Sequence, residues 1–71
     1  MKYRITSGRW DVPMEVYMEF DATNDGDTTS DEKARKVFRE ITEHKENSWE
    51  TMFLHRVDQV EKTTILATVR V

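Results

Sequence analysis

One stretch of this chain reads as helix, and it limits what the rest can be. In "SDEKARKVFREITEH", residues 30–44, Ala34, Val37, Phe38 and Ile41 recur at i, i+3, i+4 and i+7 as a single apolar stripe. A helix with one such stripe must lay it on an apolar surface, and the other apolar runs are strand-like, so that surface is a sheet. Thr29 with Glu32 has the spacing of a capping box, and Asp31 and Glu32 suit the positive N-terminal end. Glu32–Lys36, Lys36–Glu40 and Arg39–Glu43 are i, i+4 charge pairs on the solvent side. His44 and Lys45 suit the last turn, and Asn47 suits a left-handed stop.

The strands read by alternation. "TTILATVRV" puts Ile65, Ala67, Val69 and Val71 on one face and Thr64, Leu66, Thr68 and Arg70 on the other. "ETMFLHRV" is rich in strand formers, and "DQVEK" turns the chain between the two runs. "KYRITSGRW" places Tyr3 and Ile5 together, and Gly8 invites a bulge that would swing Trp10 to their side. "DVPMEVYMEF", residues 11–20, fits two templates. As a strand it sends Met14, Val16, Met18 and Phe20 inward and Glu15, Tyr17 and Glu19 outward. As a helix it would be capped by Asp11, with Val16, Tyr17 and Phe20 on one face. The unbroken alternation favours the strand.

The expected fold is α+β, a two-layer β-β-α-β-β domain with a four-stranded antiparallel sheet and one helix packed on one face. The expected core draws Ala34, Val37, Phe38 and Ile41 from the helix. From the strands it takes Ile5, Val16, Met18, Phe20, Phe53, Ile65, Ala67 and Val69.

Seventy-one residues make a single small domain, 1–71. A chain this short buries only about 60% of its unfolded surface, so extra stabilisation from a metal or a partner is a natural expectation. The absence of Cys excludes disulfides and thiolate zinc sites and fits a reducing, cytoplasmic setting. No apolar run exceeds four residues, which is too short for a membrane span or a signal-peptide core. The net charge of −3 argues against non-specific binding to nucleic acid. The acidity is concentrated in residues 21–50, where nine acids face five bases.

Catalytic constellations are not visible. His44 reads as a helix-end residue and His55 as a strand packing residue, and Ser7, Ser30 and Ser48 sit near turns or caps. With two glycines in all, a phosphate-cradling loop is excluded. The chain is therefore expected to be a non-enzymatic interaction module. A single helix leaves one sheet face uncovered, and Tyr17, Met52, Leu54 and Leu66 are expected there, with Trp49 at the margin, as an apolar interface for another protein or a second copy. A weaker alternative uses Lys2, Arg4, Tyr17, Leu66 and Arg70 of that face, with Arg56 or His55, to stack and neutralise a nucleic-acid single strand. Glu15 and Glu19 beside Tyr17 oppose it.

The remaining feature is "DATNDGDTTSDE", residues 21–32. It resembles an EF-hand calcium loop. Asp21, Thr23 and Asp25 stand at loop positions 1, 3 and 5, Gly26 at the turn glycine, Thr29 at 9 and Glu32 at the closing carboxylate. The resemblance implies Asp21, Thr23, Asp25, Asp27, Thr29 and Glu32 as a Ca2+ ligand set, with Tyr17 and Phe20 at the aromatic positions of an incoming helix. The same residue types serve a polar strand-to-helix connection without any metal or other cofactor, and that is the expectation, with calcium as the functional alternative.

Overall fold

A computed structural model describes residues 1–9, 12–44, 50–60 and 62–70. The elements are β1 (Lys2–Arg9), β2 (Val12–Asp21), α1 (Ser30–Glu43), β3 (Thr51–Gln59) and β4 (Lys62–Arg70). The strands form one antiparallel sheet in the order β2-β1-β3-β4, with α1 on one face, so the expected α+β architecture is the one observed. Residues 12–21 are strand, not the alternative helix. Expectations for Trp10, Lys45, Asn47, Trp49 and Val71 fall outside the described residues.

The helix starts where its cap chemistry places it. The Thr29 side chain accepts a hydrogen bond from the Glu32 N–H at 3.2 Å, and Asn24 Oδ1 accepts from the Ser30 N–H at 2.8 Å. A polar chain then fixes the first turn to the sheet. The Tyr3 hydroxyl donates to Asp31 Oδ1 at 2.6 Å and lies 2.7 Å from Ser30 Oγ. The other Asp31 oxygen accepts from Arg56 Nη1 at 2.9 Å. Arg56 Nε also donates to Asp58, which accepts from the Thr64 hydroxyl. Helix, β1, β3 and β4 are thus tied at one end by charge-assisted bonds.

Between the layers lie Tyr3 and Ile5 of β1, Met52 and Leu54 of β3, and Ala34 and Phe38 of α1, with Met18, Phe20, Ala22, Ile41, Leu66 and Ala67 packed around them. The Tyr3 and Phe20 rings stack with centroids 5.6 Å apart.

This core differs from the expected one because the hairpins carry bulges. Along β2 the register passes from Ile5↔Met18 to Thr6↔Val16, which leaves Tyr17 as the extra residue. Along β4 it passes from Leu54↔Ala67 to His55↔Ile65, which leaves Leu66 extra. Each bulge reverses the alternation beyond it. Val16 and Ile65, expected in the core, therefore project from the uncovered face and are 56% and 51% exposed. Phe53 is buried, but on that same uncovered face, paired with Thr6. Val69 keeps the helix side opposite Met52 but lies at its exposed margin, and Val37 is only half-buried.

Gly8 is required by close approach. A Cβ there would stand 1.7 Å from the Val12 carbonyl oxygen, because the start of β2 folds across that position. The register is also irregular here, with Met14 extra between Ser7↔Glu15 and Gly8↔Pro13.

Candidate functional site

The uncovered face can be read row by row from the register. One row crosses the sheet as Val16, Thr6, Phe53 and Thr68, and the next as Glu19, Arg4, His55 and Ile65. Its centre is polar yet buried. His55 Nε2 lies 2.8 Å from the Thr6 hydroxyl and Nδ1 lies 3.2 Å from the Thr63 hydroxyl, so hydroxyls that can donate or accept satisfy both ring nitrogens. Burial, and then the nearby Arg4 charge, push the His55 pKa below its usual value. Arg4 Nη2 donates to Glu19 Oε2 at 3.4 Å, and Lys2 lies 3.8 Å from the same oxygen. The buried Arg4 Nε has no hydrogen-bond partner among the described residues.

The proposed apolar interface needs correction on this face. Met52 and Leu54 are fully buried under the helix, since β3 pairs them with Ser7 and Ile5 on the core side. Leu66 is half-buried against the core because its bulge turns it there beside Ala67. Tyr17, likewise bulged, lines an open groove with Val37, Glu40, Ile41 and His44 on the helix side. Of the basic residues expected on the open face, Lys2, Arg4, His55 and Arg70 are there. Arg56 is on the helix side, bound to Asp31. The nucleic-acid alternative therefore loses Tyr17 as its stacking ring, and Phe53, the aromatic that is on this face, is buried.

Loop 21–32 closes on itself. Asp25 and Thr28 exchange backbone hydrogen bonds of 2.9 Å in each direction, and Gly26 takes the left-handed conformation with φ of +57°. The Asp25 carboxylate lies 3.7 Å from Lys33 Nζ, Asn24 extends the helix cap and Asp31 binds Tyr3 and Arg56. Among the described residues no group of three His, Cys, Asp or Glu side chains is gathered as a metal site. The segment entering the loop is a strand, not the helix of the EF-hand resemblance.

Among the described residues, the two sheet edges, β2 and β4, have no strand partner on their outer side. The β2 edge is guarded. Pro13 lacks an N–H, Glu15 and Glu19 bring like charge, and two register irregularities interrupt the ladder. The β4 edge differs. Thr63, Thr64, Ile65, Leu66, Ala67, Thr68 and Val69 form an uncharged run rich in β-branched residues, with Lys62 and Arg70 only at its ends and the bulge at Leu66 near its middle. That run is visible in the sequence. Its position at an edge follows from the strand order, which alternation cannot reveal.

No family model matches the chain, and no curated protein or solved structure shows significant similarity to it. Among the described residues no helix is long and apolar enough to cross a membrane.

Proposed function

We propose that this chain is a protein-interaction module that takes an extended partner segment along the free edge of β4. The observation that carries this reading is the asymmetry between the two edges. One carries a proline and two carboxylates, and the other has no charge over residues 63–69 and no strand partner on its outer side among the described residues. An added strand would gain main-chain hydrogen bonds from that edge, and its side chains would meet Ile65 and Thr68 on the uncovered face. This places recognition beside the uncovered face rather than at its centre, where Thr6, Phe53 and His55 are already packed.

The test is selection of binders from a library of random ten-residue peptides, followed by NMR mapping. Peptides bound in extended form should shift the amides of residues 63–70, and Thr68→Lys should weaken them, whereas Met14→Lys on β2 should not. Binders that instead shift Tyr17, Val37 and Ile41 would transfer the function to the groove beside α1 and overturn the reading.

A further inference from the structure

We infer that the partner strand is β4 of a second copy, paired antiparallel about a two-fold axis that passes between Leu66 and Ala67. This rests on the strand-addition reading above and adds to it the identity and register of the partner.

The face pattern of β4 selects the register. Thr63, Ile65, Thr68 and Arg70 project from the uncovered face, opposite Val57, His55, Phe53 and Thr51. Thr64, Leu66, Ala67 and Val69 lie on the helix side. From the junction of Leu66 and Ala67 this pattern reads the same in both directions, because the bulge puts two consecutive residues on one side. A two-fold axis at the junction sets Ile65 against Thr68 of the second copy, Thr64 against Val69 and Thr63 against Arg70. Every pair then shares a face, as antiparallel neighbours must. Sliding the strands by one or two residues in either direction sets an uncovered-face residue against a helix-side residue. The bulge, which disrupts regular pairing elsewhere, is here the feature that makes the edge self-complementary.

The charges agree. By alternation from Thr63, Lys62 is on the helix side, while Arg70 is on the uncovered face, so Lys62 and the Arg70 of the second copy project from opposite faces at the strand ends. The seven residues between them bring no charge to desolvate. Self-pairing along β2 would instead carry charge into the seam from both copies, Glu15 on the helix side and Glu19 on the uncovered face. The result is a continuous eight-stranded sheet with both helices on the same side.

Sedimentation equilibrium from micromolar to millimolar chain tests the inference. The wild type should show a monomer–dimer equilibrium. Thr68→Lys and Ile65→Glu should each weaken it by about tenfold or more, and an equimolar mixture of the two should recover much of the loss, because the register sets the new lysine against the new glutamate. Met14→Lys should leave it unchanged. In the wild-type dimer, an isotope-filtered NOE between the methyls of Ile65 and Thr68 is expected, and this reads the register without any variant. A chain that stays monomeric at millimolar concentration overturns the second copy as partner, and the peptide selection then judges strand addition separately. A dimer without that NOE, or a mixture no tighter than either variant alone, overturns the two-fold register.

Discussion

Leu54 and Ile65 are close in sequence and in the sheet, yet the structure gives them opposite faces, and their truncation to alanine separates the two. Leu54 is fully buried between β1, β3 and α1, while about half of Ile65 is in water. Leu54→Ala removes buried methyl groups and leaves a cavity that the helix can only partly close, so a loss of about 2–5 kcal/mol is expected. Ile65→Ala gives up about half of a side-chain burial worth about 1.5–3 kcal/mol and opens no cavity, so about 1 kcal/mol is expected. Against a total stability of about 4–11 kcal/mol for 71 residues, the first change threatens folding and the second does not. Urea denaturation followed by circular dichroism gives both values. If Ile65→Ala cost more than Leu54→Ala, the bulge at Leu66 would be misplaced and the face assignments of β4 reversed.

Three further outcomes follow from the geometry. His55 binds its proton less readily folded than unfolded, so stability should fall as pH drops below the unfolded value of about 6.5 towards the lower folded pKa; His55→Gln should flatten that slope in thermal melts. Thr29→Ala removes the acceptor for the Glu32 N–H and should cost about 1 kcal/mol in the same urea assay, whereas no loss would show that Asn24 alone suffices as cap. Calcium at millimolar concentration should shift the amides of Gly26 to Glu32, with Glu32→Gln abolishing the effect, if loop 21–32 is a Ca2+ site; unmoved amides would leave it a polar connection.

Much of the fold was legible because it rests on local chemistry. The stripe from Ala34 to Ile41 and the cap at Thr29 need only their own neighbours, and the element order β-β-α-β-β follows from alternation around a single helix. The faces were not legible, for two reasons. Met52, Phe53 and Leu54 run consecutively in a central strand buried on both sides, so their periodicity cannot say which faces the helix. In "TILATV" the consecutive apolar Ile65, Leu66 and Ala67 leave the phase open, and the backbone inserts a bulge at Leu66, which turns Ile65 out and Leu66 in. The candidate interface inherited both errors. Its chemical basis, an apolar strand with no charge in it, was present in residues 63–69 from the start, but only the pairing order exposes that strand at an edge.

The claim that β4 is the recognition edge is tested most directly by amide chemical shifts of the wild-type chain followed from micromolar to millimolar concentration. The expected result is a set of concentration-dependent shifts confined to residues 63–70 and their β3 neighbours, with α1 and β2 unchanged. Shifts centred on Tyr17 and Ile41, or on Val12 to Val16 of β2, would contradict it.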